Sequence, residues 1–408
     1  MHPDLDTAPA PVARRLTAIL FAGVAMSSTA YIAMVTVGSL TIDELTGSAS
    51  LAGVPGATGI IGTSIGTTLL SLGVARRGRR PGMVAGYAAG AVGAAIAALA
   101  VILRSVPLLI GGMALVGLGN ASSHLARYAA ADMFPASKRA SALAWVVWGS
   151  TIGSVLGPSL VAPAGRLAES LGRSEMVGGY AAGAVFMALA AIVCLTALRP
   201  DPARVALETP TERRIVFGEI TTAFRTPTVR FGLVAMVTGQ VVMVMIMTAT
   251  PLHIHHHGSG LSAVGVVMSA HTLGMFALSP LVGRLVDRIG GFRMAVYGMA
   301  ALAVSALGAA YGPNHSIPGL VMALWLLGIG WNMTFVAGSA TLSAGLDPSI
   351  RARVQGAADS VTWMSSATTS VLAGVLYQAT DYRSLGLLGL ALLAVPAVFM
   401  LRRRPEAA

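Results

Sequence analysis

Long apolar blocks with almost no charge dominate the sequence, and each is about as long as a bilayer-crossing helix. A helix needs roughly 20 apolar residues to cross the hydrocarbon core. About twelve blocks of this length follow one another, at roughly 16–38, 51–74, 83–103, 107–130, 140–163, 177–198, 228–250, 261–282, 294–312, 318–342, 356–378 and 385–401. Only 11% of the residues are charged, whereas about 25% is usual in soluble domains. Because backbone polar groups in lipid need internal partners, the blocks predict an all-α membrane protein.

The basic residues predict how the chain is oriented. The net charge of +11 could indicate nucleic acid binding, but the arginines lie in short loops between apolar blocks, so we expect no nucleic acid partner. If the N-terminus is cytoplasmic, the outer segments hold few basic residues, namely Arg104, Arg166, Arg173 and Arg383. Cytoplasmic loops carry an excess of Lys and Arg. We therefore predict a multi-pass protein of the bacterial cell (inner) membrane with both termini cytoplasmic.

The chain divides into two similar halves. The longest polar stretch, 199–227, separates six blocks in 1–198 from six in 228–408. Arg76-Arg77-Gly78 in the first half corresponds to Arg288-Ile289-Gly290 in the second. We predict two pseudo-symmetric six-helix bundles, each forming one domain, joined by a cytoplasmic linker. Paired halves are a transporter architecture in which the substrate path lies near the bilayer midplane.

The segment between the eighth and ninth blocks reads Gly-Arg-Leu-Val-Asp-Arg-Ile-Gly-Gly from Gly283. It is similar to the Gly-x-x-x-Asp-Arg-x-Gly loop of the major facilitator superfamily, and the resemblance covers nearly the whole chain. The resemblance implies a tight turn at Gly283 and Gly290. It also implies that Asp287 and Arg288 form a latch that holds one conformation.

The first-half copy of this loop lacks its acid, because Ala75 occupies that position. Asp359 or Asp132 could then supply a carboxylate to Arg76 or Arg79. The alternative is that these residues only anchor the cytoplasmic side.

The fifth block carries glycines at helical spacing followed by proline, at Gly149, Gly153, Gly157 and Pro158. This pattern resembles the antiporter motif of the drug-efflux-like 12-helix branch, which implies export. The family's closing glycine pair is replaced by Val161-Ala162, and small residues at this spacing are also ordinary helix packing. Met113 stands where proton-coupled exporters usually have arginine. The first block is also uncharged, which argues against a standard proton-antiport mechanism.

Polar side chains inside the blocks are few, and each is a candidate for substrate binding or coupling. At 1.5 Å per residue, some lie near the midplane and others closer to the cytoplasm. The candidates are His271, Gln240, Asn332 and Tyr31 near mid-depth, and His124 and Arg127 below them. Protons are a candidate coupling ion, with His271 as carrier. The alternative for His271 is a neutral ring hydrogen-bonded across a helix contact.

A histidine cluster follows the seventh block, at His253, His255, His256 and His257. It could bind a divalent metal, but its spacing matches no defined site, and a solvated or gating loop is the preferred interpretation. We expect no cofactor. The sequence shows no zinc-protease, nucleophile-elbow or nucleotide-binding motif, so we expect no enzymatic activity and no direct use of ATP.

These patterns together predict a secondary active transporter that works by alternating access. We expect it to be a monomer in the lipid bilayer that exports a small amphipathic or hydrophobic molecule. Protons are the candidate coupling partner. The alternatives are an importer or facilitator of a small metabolite, a metal transporter, and a receptor or sensor without transport.

Overall fold

The computed structural model describes residues 10–134, 136–205, 221–312, 316–343, 346 and 348–396. Within these residues the chain is helical and contains no strand. The α-helices are α1 Ala10–Thr46, α2 Val54–Arg77, α3 Arg79–Ile102, α4 Val106–Asp132, α5 Ala136–Ser170, α6 Glu175–Ala197, α7 Pro227–His256, α8 Leu261–Phe276, α9 Ser279–Ile289, α10 Gly291–Tyr311, α11 Ile317–Ser343, α12 Pro348–Ala379 and α13 Tyr382–Leu392. Short 3-10 turns occur at Ala49–Leu51 and Pro202–Arg204.

The predicted fold class is confirmed, with one difference in the eighth crossing. Nine stretches of the described chain are long and apolar enough to cross a membrane. The eighth block, 261–282, was expected as a single helix, but the crossing Leu261–Ile289 is divided into α8 and α9 at residues 277–278. Pro280 explains the division, because proline has no N–H for a helix interior and is tolerated in a first turn.

The helices belong to two compact units. Unit 1 contains Met1–Thr46 and Thr58–Glu212, and unit 2 contains Gly47–Ala57 and Arg213–Ala408. The predicted boundaries at 198 and 228 stay a prediction, since residues 206–220 of the linker lie outside the described part of the chain.

Unit 2 includes a short segment from early in the sequence, Gly47–Ala57, which packs on α12. Ser48 Oγ and the Ser50 backbone N–H both donate to Gln378 Oε1. Ser370 Oγ donates to Gly53 O at 2.9 Å. A β-carbon at Gly53 would lie 1.5 Å from Ser370 O, so only glycine fits at this contact.

Two glycines at matching places in the halves adopt left-handed backbone. Gly78 precedes α3 with φ of 98°, and Gly290 precedes α10 with φ of 86°. Other residues rarely adopt this conformation. The tight turn predicted at Gly290 is therefore present, and its first-half counterpart repeats it. The turn predicted at Gly283 is wrong, because Gly283 lies inside α9.

Candidate functional site

A three-residue hydrogen-bonded group links three helices of unit 2. Trp331 Nε1 on α11 donates to Gln240 Oε1 on α7 at 2.6 Å. Gln240 Nε2 in turn donates to Ser366 Oγ on α12 at 3.1 Å. Gln240 is 2% exposed, and each polar atom of its amide has a partner, as burial requires. The candidate Gln240 therefore fixes the position of an indole ring.

Aromatic rings surround this indole. Trp331 stacks on Phe335, with ring centroids 5.0 Å apart and planes at 21°. Phe276, the last residue of α8, meets Trp331 edge-on at 5.9 Å. Both geometries are preferred by aromatic pairs. Trp331 is 7% exposed, whereas Phe276 and Phe335 are partly exposed.

Asn332 is buried next to Trp331 and is incompletely hydrogen-bonded. Its Oδ1 lies 3.3 Å from Ser279 Oγ, which donates to it. Its Nδ2 has no hydrogen-bond partner among the described residues, although the side chain is 1% exposed. If the amide oxygen and nitrogen were exchanged, Oδ1 would be the atom without a hydrogen-bond partner. A buried amide donor without a partner is costly and remains available to a ligand.

His271 lies in a contact between two helices. The side chain is fully buried, and Nδ1 is 2.9 Å from Leu324 O on α11. A β-carbon at Gly328 would lie 2.2 Å from His271 O, so the two backbones touch there. This is the geometry of the alternative interpretation, a ring bonded across a helix contact. Nε2 has no partner within the described residues, and the coupling role stays a prediction.

The mid-depth candidate of unit 1 belongs to a second polar group. The Tyr31 hydroxyl on α1 hydrogen-bonds Thr63 on α2. Asn120 Nδ2 on α4 approaches Thr63 Oγ1 at 3.4 Å. A β-carbon at Gly59 would lie 3.1 Å from the Tyr31 hydroxyl. Uncharged hydrogen-bonding groups thus connect three helices of unit 1, as they do in unit 2.

His124 and Arg127 continue the same face of α4, one and two turns beyond Asn120. Arg127 Nη2 lies 3.3 Å from the Tyr128 hydroxyl, and its guanidinium carbon lies 5.0 Å from that ring centroid. Its Nε is buried without a partner in the described residues. No described carboxylate pairs with Arg127, so this cation could receive an anionic group.

The residues of the predicted latch lie in both units. In unit 2, Asp287 and Arg288 are exposed in the last turn of α9 and make no ion pair with another described residue. An acid is unfavourable in a last helical turn because that end carries partial negative charge. Asp359, about three turns into α12, is partly buried. The latch role of these residues stays a prediction.

In unit 1 the guanidinium of Arg79 forms an ion pair with Asp132, one of the two acids considered. The side chain of Arg76 lies outside the described residues. A further acid was missed, Asp201, whose carboxylate accepts from the backbone N–H groups of Arg79 and Arg80. It caps α3 from a position that sequence spacing does not connect with that helix.

The fifth-block glycines hold α5 against α1. β-Carbons at Gly149, Gly153 and Gly157 would lie 2.5–2.8 Å from backbone atoms of Phe21 and Thr29. Pro158 lies inside α5. The motif therefore has a packing role, and its link to export stays a prediction.

The expected histidine loop is instead the end of a helix. α7 continues through Pro251 to His256, and His257 caps it. Burial of Thr250, His253 and Ile254 in unit 2 offsets the backbone hydrogen bond that proline cannot donate. The interpretation of these residues as a loop was wrong.

Two of the histidines, His253 and His257, lie against each other with ring centroids 4.3 Å apart. His253 stacks on Tyr382 with centroids 4.3 Å apart, whereas His255 is exposed. Asp381 caps α13 nearby, and hydrogen bonds from Ser384 lower the pKa of its carboxyl. Among the described residues no three His, Cys, Asp or Glu could together hold a metal ion.

Comparison with known proteins agrees with this architecture. The 35% identical "Uncharacterized MFS-type transporter YddS" of Bacillus subtilis (strain 168) aligns over 91% of this chain and 87% of its own. The "Riboflavin transporter RfnT" of Brucella anthropi is 27% identical over 98% of each chain.

A solved bacterial homolog of the human lysosomal transporter Spinster has the same fold. Its TM-score is 0.69 at 14% identity, covering 98% of this chain and 100% of that one. The human organic anion transporter MFSD10 has a TM-score of 0.65 at 17% identity, covering 96% and 99%. The sequence profile of the Major Facilitator Superfamily matches residues 19–265 and 241–408. The chain is therefore a multi-pass membrane transporter that belongs to the major facilitator superfamily.

Proposed function

We propose that this protein is a secondary active transporter that works by alternating access and exports a small amphipathic molecule. The observation that carries the proposal is the Gln240–Trp331–Ser366 group with its aromatic neighbours. Apolar surface with a few placed uncharged polar groups is the usual lining of a small-molecule site. Such a lining suits a molecule that is mostly apolar and has hydrogen-bonding groups.

The name of one relative supplies a first compound to test. RfnT is named as a riboflavin transporter, and riboflavin combines a planar ring system with a polar chain. It therefore has the amphipathic character that we propose for the substrate. The fifth-block glycines support export through their resemblance to the antiporter motif.

We further propose that a proton gradient drives transport and that His271 carries the proton. Its unpartnered Nε2 is the group that could accept a proton when water enters. The protein would act as a monomer in the bacterial cell membrane, with both termini cytoplasmic.

Transport direction can be tested with membrane vesicles of both orientations. Everted vesicles given an inward-directed riboflavin gradient and an imposed pH gradient should accumulate riboflavin faster than vesicles without the protein. Faster uptake only in right-side-out vesicles would support an importer. Absence of protein-dependent flux for riboflavin and for a panel of amphipathic compounds, in both orientations, would contradict transport and favour a receptor.

A further inference from the structure

The aromatic cluster of unit 2 is defined as Phe276, at the end of α8, together with Trp331 and Phe335, one turn apart on α11. Close backbone contacts fix α11 against three neighbouring helices of unit 2. β-Carbons at Gly328, Gly330 and Gly338 would lie within 2.2–2.9 Å of backbone atoms of α8, α10 and α7, respectively. Glycine makes these contacts because it lets helices approach closely. The rings of Trp331 and Phe335 therefore stand on a helix whose backbone position is fixed by its neighbours.

The polar atoms around Trp331 hold its ring in one orientation. The indole N–H is bonded to Gln240, and Gln240 is held by Ser366. An apolar side chain of similar size could fill the same space without two further buried polar residues, whose burial costs free energy unless every bond is made. A ring fixed by three helices is a pre-organised surface, which reduces the cost of ordering on binding.

Asn332 adds a polar group beside this surface. It follows Trp331 on α11 and contacts Ser279, three residues after Phe276. The Trp331–Phe276 and Asn332–Ser279 contacts therefore join α11 to the two residues that flank the break between α8 and α9. The buried amide has one polar atom without a partner among the described residues, and this atom can bond a ligand carbonyl or ring nitrogen.

We propose that the aromatic cluster binds a planar conjugated ring of the transported molecule and that Asn332 hydrogen-bonds a polar atom on its edge. This assignment rests on the proposed function and names the substrate class. The ring reaches the cluster at Phe335, which like Phe276 is partly exposed, and stacks there on the Trp331 and Phe335 pair. Stacking is favourable for every flat π-system, so the class is defined by planarity and an edge acceptor.

Three planar fluorescent probes test the assignment: riboflavin, lumichrome and ethidium, each titrated into purified protein in nanodiscs. Stacking on the cluster should quench probe emission saturably for at least one of them. For a riboflavin site, lumichrome, which keeps the planar ring, should compete, and ribitol, which resembles only the polar chain, should not. Absence of saturable binding by all three probes would overturn the assignment.

Variants distinguish stacking on the cluster from binding elsewhere. Phe335→Leu should weaken the Kd of the bound probe by roughly tenfold, and Asn332→Leu should weaken it by a similar factor. Phe292→Leu is the matched control, because Phe292 pairs with Phe231 at 5.0 Å on other helices of unit 2. If Phe335→Leu and Asn332→Leu both bind like this control, the assignment is wrong.

Flux separates failure of this assignment from failure of the proposed function. Vesicle flux that persists for a non-aromatic compound, with no effect of Phe335→Leu, would leave the transporter proposal intact and remove the ring site. Saturable probe binding that Phe335→Leu weakens, without flux of any compound, would retain the ring site and contradict transport.

Discussion

Replacing Asp201 with alanine should destabilise the start of α3. The carboxylate accepts from the backbone N–H groups of Arg79 and Arg80, both at 3.1 Å, and from Ala203 at 2.8 Å. The first N–H groups of a helix have no partner within it. Asp201 provides partners for two of them and places a negative charge at the positive end of the helix.

The expected cost follows from these contacts. Loss of a capping side chain costs about 0.5–2 kcal/mol, and loss of a favourable charge at the helix end costs a further 0.3–1 kcal/mol, approximately. We expect about 2 kcal/mol in total, which corresponds to a roughly 30-fold higher population of the locally opened helix start.

Hydrogen–deuterium exchange of the protein in nanodiscs measures this opening directly. The amides of Arg79 and Arg80 should exchange roughly 10–30 times faster in Asp201→Ala, and Asp201→Asn should lie between this variant and wild type. Glu169→Ala is the control, because that exposed acid lies in the last turn of α5. Unchanged exchange at Arg79 and Arg80 in Asp201→Ala would refute the capping argument.

Four further predictions follow from the two units. Asp287→Ala should reduce flux several-fold at unchanged membrane insertion, because a latch acts in only one conformation. Flux equal to wild type, with unchanged accessibility of the transport path from the two sides of the membrane, would contradict this. Changing all four histidines of 253–257 to Asn should leave riboflavin flux within about twofold, since no described metal site involves them; a collapse of flux would restore the metal interpretation. His271→Gln should flatten the dependence of flux on pH between about 5.5 and 7.5, whereas an unaltered profile would exclude it as the proton carrier. Gly153→Val should remove the peak of folded protein from size-exclusion profiles, because a β-carbon at Gly153 would lie 2.5 Å from Thr29 N. Gly111→Ala should keep this peak, because no atom lies within 4 Å of a β-carbon at Gly111.

Block length alone predicted the helical class, because only a helix satisfies its backbone within lipid. The ends of the helices were harder to predict from the sequence. The seventh block was bounded at residue 250, before the histidines, yet the helix continues through Pro251 because Thr250 and His253 are buried. In contrast, Pro280 coincides with a real division of the eighth crossing. Proline therefore ends a helix at one position and is tolerated within a helix at another. Tertiary packing decides which, and the local sequence does not reveal that packing.

The candidate site was predictable in its polar members and not in its aromatic ones. Gln240 and Asn332 stood out because amides are rare in apolar blocks. Trp331 and Phe335 did not, since lipid-facing and buried positions are both apolar in a membrane protein. The role of Asp201 depends on a contact between residues 122 positions apart, and no periodicity signals such a contact.

The packing of Gly47–Ala57 with unit 2 has a consequence for dissecting the molecule. The backbone passes from one unit to the other three times, after Thr46, Ala57 and Glu212. Cleavage within 206–220 would therefore leave two peptide connections intact. A C-terminal fragment produced alone would lack the partner of Ser370 and Gln378, so gene fragments split at the linker would reconstitute unit 2 only when co-expressed.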